Sequence, residues 1–205
     1  LGLLRRFSSG LEWVFNQSEK AIILEDGCFL DISFFSFASE SFGDKKTDLS
    51  IGMIQGWSAY RSLPVKENYY LTPGPKVWGW ATWKRVVENF DVHIPFLPGV
   101  DEEELILRQG FYELRVPGVI DRIETAIAID TWDFQWVAYL WSEGLKSVAP
   151  RQSLVRNIGF GSEASHTKVD CGSYSQEALT LNPPFSQMAA SDSIGFALDR
   201  LEFWA

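Results

Sequence analysis

The sequence predicts an α/β fold, because short apolar runs suited to strands alternate along the chain with stretches of helical periodicity. The clearest strand signal is Ala21-Ile22-Ile23-Leu24, an unbroken apolar run of the kind expected at the centre of an α/β sheet, covered on both faces. The clearest return to helical spacing follows at Phe34, Phe35, Phe37, Ala38 and Phe42. With 205 residues, 46% of them apolar and 15% aromatic, the chain can bury one substantial core, and its length suits a single domain.

Taken in order, Leu11, Val14 and Phe15 line one face of an N-terminal helix, with Ser8, Ser9 and Gly10 small enough for close packing. Residues 21–24 then form the buried central strand, and Asp31 or Ser33 caps the phenylalanine-rich helix after it. "SIGMIQGWS" at 50–58 is a second strand and "NYYLTP" at 68–73 a third, stopped by Pro-Gly-Pro. "WGWATWKRVVENF" at 78–90 reads as a helix with a bulky aromatic start. Residues 101–115 and 117–129 read as two helices separated at Pro117, the first with acidic residues at its N-terminal dipole. "TWDFQWVAYLWSEG" is an aromatic helix ended by Gly144, and "LKSVAP" a short strand. The tail from Leu179 is mixed and interrupted by Asn-Pro-Pro, and no repeat, low-complexity tract or linker divides the chain.

Charge narrows the partners. Eighteen Lys and Arg against 27 Asp and Glu leave a net charge of -9, which argues against a nonspecific grip on nucleic-acid phosphates or anionic lipid. Cys28 and Cys171 are too few for a disulfide framework and lack metal-ligand spacing, so both read as free thiols suited to a reducing compartment. No apolar run reaches the roughly 20 residues of a spanning helix, and "LGLLRRFSSG" lacks the apolar core of a secretory signal. No transmembrane segment is expected.

The tripeptide Glu25-Asp26-Gly27 sits directly after the first strand. Asp-Gly is a common hairpin turn, and turn statistics favour that reading of the tripeptide alone. Against it, the residues that follow carry a helical pattern and not the alternation of a returning strand. In open α/β sheets ligands bind beyond the carboxyl ends of strands, where a carboxylate pair can hold magnesium or manganese and so a phosphorylated ligand.

Four blocks occur in order: "SSGLEWVFNQSEKAIILEDGCFLDISFF", "YYLTPGPKVWGWATWKR", "DTWDFQWVAYLW" and "NIGFGSEASHT". Together they resemble a bacterial family of GT-A-fold glycosyltransferase-like proteins, some with a haemolysin-like label, and more distantly the inverting N-acetylglucosaminyltransferase I. The resemblance covers nearly the whole chain up to about Thr167. It implies a GT-A-like mixed sheet flanked by helices, the fold of nucleotide-diphospho-sugar transferases. It also implies that residues 1–205 are a single catalytic domain, N-terminally incomplete and lacking the first βαβ unit, which holds the nucleotide base. The implied activity is transfer of a hexosyl or N-acetylhexosaminyl group from a nucleoside-diphosphate sugar to a hydroxyl of a glycan or lipid-linked acceptor, with inversion. The alternative is a noncatalytic sugar- or partner-binding fragment of the same fold. The implied location is the cytoplasm, with peripheral attachment at the inner membrane face as a variant of it.

The resemblance also assigns residues. Glu25-Asp26-Gly27 takes the place of an acidic motif whose last residue is an Asp that ligates manganese or magnesium; Gly27 offers no carboxylate there, which leaves Asp26 as the metal ligand and Glu25 and Asp26 as substrate contacts. Asp133 matches the general base that deprotonates the acceptor hydroxyl, although a first-turn Asp is also favoured by the helix dipole alone. Asp130 is its neighbour and the better helix cap. Trp78 and Trp80, flanking Gly79, are the candidates for lining a sugar pocket, although large aromatics are more often core. His166, in the loop "GFGSEASHT", is a candidate phosphate or metal contact against the plainer reading of a solvated loop histidine. Lys84 and Arg85 suit a solvated helix face better than a diphosphate contact, and Asn157 suits a turn.

Overall fold

A computed structural model describes residues 2–46, 48–58, 60, 62–94, 101, 104, 131–159 and 177–189. Helix α1 (Leu3–Phe15) buries Leu11 and Phe15, the face that the spacing predicts. Gly10 is not part of a close contact, since a side chain added there would meet nothing within 4 Å.

Strands β1 (Lys20–Ile23), β3 (Ile51–Gln55), β4 (Tyr69–Thr72), β5 (Trp80–Trp83) and β6 (Lys146–Pro150) form one five-stranded sheet in the order β1-β5-β3-β6-β4. The sheet is mixed: β3 and β6 are parallel, whereas the β1/β5, β5/β3 and β6/β4 pairs are antiparallel. It follows that β1, β3 and β6 point the same way and deliver their carboxyl ends to one edge.

The fold departs from the sequence pattern in two strands. Residues 21–24 do not form a buried central strand: β1 pairs only with β5 among the described residues, Ala21, Ile22 and Ile23 are half-buried, and Leu24 is exposed. An unbroken apolar run reports covered faces but does not report how many strands flank it. The strands buried along their whole length are β3, between β5 and β6, and β5, between β1 and β3. Secondly, Trp80–Trp83 is a strand and not the start of a helix; helix α3 (Lys84–Val87) begins only after it. Tryptophan and threonine favour strands, and the pleat separates the two indoles. Trp80 packs against Trp132 and Trp136 on one face, and Trp83 meets Phe42 edge-on at 5.1 Å on the other.

Those two faces are the two layers of the core. Helix α2 (Ser33–Asp44) lies on the Trp83 side and buries Phe34, Phe37, Ala38 and Phe42. Its start is organised by Asp31, whose Oδ1 accepts hydrogen bonds from the Ser33 amide at 2.8 Å and the Ser33 hydroxyl at 2.6 Å. Helix α4 (Asp133–Ser142) covers the Trp80 side and ends at Gly144, which takes the positive φ of +65° expected of a glycine past a helix end. Between the first sheet and α2 the chain makes a strand the sequence pattern did not reveal. Strand β2 (Cys28–Leu30) pairs antiparallel with β7 (Val155–Asn157) in a two-stranded ribbon, in the register Cys28 to Asn157.

The helices expected at 101–115 and 117–129 lie outside the described residues apart from Asp101 and Glu104, as do Asp130, His166 and Cys171. Among the described residues no helix is long and apolar enough to cross a membrane.

Candidate functional site

The acidic tripeptide stands at the carboxyl end of β1 and forms a tight turn: the Cys28 amide donates to the Glu25 carbonyl at 3.2 Å. Gly27 has φ +83°, the value a type II turn needs at its third position and one that side chains rarely adopt. Space is short as well. A Cβ on Gly27 would lie 3.2 Å from the Gly159 amide nitrogen and 3.3 Å from its Cα. The Gly27 carbonyl in turn accepts from the Ile158 amide at 2.9 Å. The turn is therefore backed by residues 157–159, and Asn157 steadies that backing by accepting the Gly159 amide on its Oδ1 at 2.8 Å. This is the turn-stabilising role its side chain suggested.

Helix α4 brings a third carboxylate. Trp132, the residue before the helix, is buried, with its ring stacked on Phe7 of α1 at 3.7 Å and against Trp80 of β5 at 5.8 Å. Its indole Nε1 donates to Oε1 of Glu25 at 3.1 Å. Asp133 is the first residue of α4, half-buried, and one of its oxygens accepts from the Thr131 hydroxyl. Asp26 and Asp133 are close enough to Glu25 for their charges to act on it. Glu25, half-buried, is pushed from 4.5 to about 6: burial raises it most, the Trp132 hydrogen bond lowers it, and repulsion from Asp133 and Asp26 raises it again. Asp26 is exposed.

Beside the turn, the Cys28 thiol is pushed up to about 11, first by burial. Backbone groups of Glu25 and Gly79 lower it in part, and Cys28 packs with Trp78 against Trp57 and Val155, so the Trp78-Gly79-Trp80 segment lies near the acidic turn. The two tryptophans of that segment part company. Trp80 is fully buried between Trp132 and Trp136, so its indole is a wall of the core and cannot line an open sugar pocket. Trp78 is half-buried and meets Trp57 edge-on at 5.0 Å, which leaves it as the tryptophan of the pair with exposed ring surface. Lys76, which the sequence reading did not single out, is nearly buried with its ammonium 5.6 Å from the Trp57 ring. Its position after Pro-Gly-Pro, inside a conspicuous aromatic block, was the available signal.

Arg85 is half-buried and turned toward the protein. Its guanidinium donates to the Ile51 carbonyl at 2.6 Å and lies over the Trp83 ring at 4.9 Å, tying α3 to β3. Lys84 fits the surface role, pairing at 3.9 Å with Glu88 one helical turn on. A separate groove of about 450 Å³ opens between α1 and α3, floored by Leu11, Val87 and Phe90. The Ser8 and Ser9 hydroxyls at its rim are spent on carbonyls of their own helix.

The structure thus sets Asp26 and Asp133 near Glu25, while Trp78 packs with Cys28 in the cluster around Trp57 and Val155 and Trp80 is withdrawn into the core. Among the described residues no group of three His, Cys, Asp or Glu side chains is arranged to hold a metal ion. Asp26 can supply one carboxylate to a magnesium or manganese ion that arrives with a diphosphate, since such ions take one or two carboxylates and complete their shell with phosphate oxygens and water.

No protein-family model matches the chain. A search of the curated proteins gives no match either.

Proposed function

We propose that this protein is a nucleotide-sugar-dependent glycosyltransferase of the GT-A type, acting with inversion on a hydroxyl of a glycan or lipid-linked acceptor. The observation that carries the reading is the meeting of two carboxylate-bearing segments remote in sequence. The turn at the end of β1 and the head of α4 are joined by the hydrogen bond from Trp132 to Glu25. One segment suits the donor and the other the acceptor, the division of labour that the sequence resemblance implies.

In this reading Asp26, exposed at the turn, faces the donor diphosphate. A divalent cation bound there neutralises charge on the departing diphosphate. Asp133 accepts the proton of the acceptor hydroxyl as that oxygen attacks the anomeric carbon. The bond from that carbon to the diphosphate oxygen breaks, the nucleoside diphosphate leaves with the bonding pair, and the new glycosidic bond forms on the opposite face. Trp78 offers an aromatic face for the sugar. The test is turnover of donor and acceptor by wild type and Asp133→Asn. The amide keeps the size and loses the basicity, so turnover falls by about 10²- to 10⁴-fold with donor affinity little changed. A loss below about fivefold at saturating substrates excludes Asp133 as the base.

One observation favours a second reading, a sugar- or partner-binding module without transfer. Gly27 is held at φ +83° against Gly159, so the third place of the acidic motif is structurally a glycine and the turn is one carboxylate short. Donor binding without turnover in any acceptor mixture selects this reading over the first.

A further inference from the structure

The contact between Glu25 and Trp132 has features that ordinary core packing does not require. The Trp132 indole is stacked on Phe7 at 3.7 Å and 14°, and Trp80 lies beside it at 5.8 Å and 22°. The ring has one polar atom, Nε1, and that atom is aimed at Oε1 of Glu25. Buried indole N–H groups ordinarily find a partner, yet Trp80 and Trp83 have none for theirs among the described residues. Trp132 obtains its partner by drawing a half-buried carboxylate toward the head of a helix that already carries Asp133. Like charges at short range repel, so attraction between charges does not hold Glu25 there; the neutral indole donor does. Trp132 is also the residue on which α4 starts: its carbonyl accepts the first helical hydrogen bond, from the Trp136 amide at 3.0 Å. Any shift of the indole therefore moves the next residue, Asp133.

We propose that Glu25 is a positioning residue: by holding the Trp132 indole at Nε1 it fixes where the neighbouring Asp133 carboxylate stands relative to the acidic turn. This rests on the reading of Asp133 as the base. Glu25 then does not touch the reacting atoms through the oxygen that Trp132 occupies, and its task is geometric. Misplacing a reacting group by about 1 Å can cost about 10²-fold in rate, so a contact of this kind matters to turnover well before it matters to folding.

The variants separate the contact from the packing. Trp132→Phe keeps an aromatic ring against Phe7 and Trp80 and removes the N–H; Glu25→Ala removes the acceptor; Glu25→Gln keeps an acceptor oxygen at similar size. Turnover is expected to fall at least about tenfold in Trp132→Phe and in Glu25→Ala, with the Michaelis constant for the donor sugar within about threefold of wild type. Glu25→Gln restores most of the rate, and the double variant is no slower than either single one, because the two residues act as a unit. A second readout needs no substrate. In ¹⁵N-indole spectra of the folded protein, the Trp132 N–H resonance, assigned by its loss in Trp132→Phe, exchanges slowly. It moves and exchanges at least about tenfold faster in Glu25→Ala, and stays near its wild-type place in Glu25→Gln. An indole resonance indifferent to Glu25→Ala overturns the inference, as does full turnover in Trp132→Phe in a preparation that Asp133→Asn silences. Resonances that respond as described in a protein with no transfer activity overturn the reading of Asp133 as a base, and with it the catalytic purpose of the contact.

Discussion

The acidic turn and the aromatic layer beneath it are built on opposite principles. The layer formed by Phe7, Trp80, Trp132 and Trp136 joins α1, β5 and α4 through stacked and tilted rings, and its three tryptophans are buried. It is a large apolar surface with little polar content. The turn is the reverse: three residues at a sheet edge, with an exposed Asp26, a half-buried Glu25 and a glycine that no other residue replaces without strain. The fold concentrates its unfavourable contributions in the turn and keeps them out of the layer. The aromatic layer contributes the burial that stabilises the fold, while the turn collects negative charges and a left-handed backbone, which cost stability and are tolerated at sites of function.

Replacing the layer's centre is expected to have the largest effect. Trp136→Ala leaves a cavity between α4 and β5 and destabilises the protein by about 3–5 kcal/mol in chemical denaturation. A loss below about 1 kcal/mol would mean that the layer does not carry the core as described. Next comes the turn. Gly27→Asp, which restores the acidic motif in sequence, forces a left-handed side chain against the Gly159 backbone and costs about 1–2 kcal/mol in the same assay. That strain is set against the gain in metal-dependent donor binding which an added carboxylate offers. A Gly27→Asp protein as stable as wild type would show that residues 157–159 yield easily and that the turn is not backed in the way its geometry implies.

Glu25 gives a pH signature of opposite sign to that of an ordinary ion-paired carboxylate. Its pKa is raised from 4.5 to about 6 in the folded protein, so between these values the folded state binds more protons than the unfolded one. Its contribution is fully present below about pH 4.5 and is lost as the pH rises through 6, by at most about 2 kcal/mol. Asp31 and Asp48 are lowered by hydrogen bonds from Ser33 and Ser50 and run the other way. The check is therefore the difference in stability between wild type and Glu25→Gln, followed from pH 4 to pH 7; a difference independent of pH would show that Glu25 is not desolvated. The smallest effect contrasts two glycines. Gly10 sits in α1 with open space around it, and Gly10→Ala is expected to stabilise the protein by about 0.5–1 kcal/mol in thermal or chemical unfolding, where Gly27 tolerates nothing larger.

How much of this was legible in the sequence depended on the range of the interaction involved. The spacing of Leu11 and Phe15, the phenylalanine pattern of α2, the runs at β3, β4 and β6 and the glycine after α4 all report local structure, and the elements stand where those residues place them. The aromatic start of β5 was misread because Trp80 and Trp83 carry no helical or strand period of their own; their alternate faces become visible only with β1 and β3 on either side. The ribbon of β2 and β7 was missed because its two three-residue strands are too short to show a pattern alone. In the site, the turn and the head of α4 were each recognisable as motifs. The hydrogen bond that joins them links residues 107 positions apart, and no local pattern reports such a contact. The burial of Trp80 was hidden for the same reason.

Calorimetric titration of the protein with a panel of nucleoside-diphosphate sugars, with and without manganese and in wild type beside Asp26→Asn, tests whether the acidic turn is a donor site. At least one donor is expected to bind, manganese to strengthen the binding, and Asp26→Asn to weaken it by about tenfold or more while the protein stays folded. Binding by no donor in the panel, or donor binding that ignores both manganese and Asp26, would contradict it.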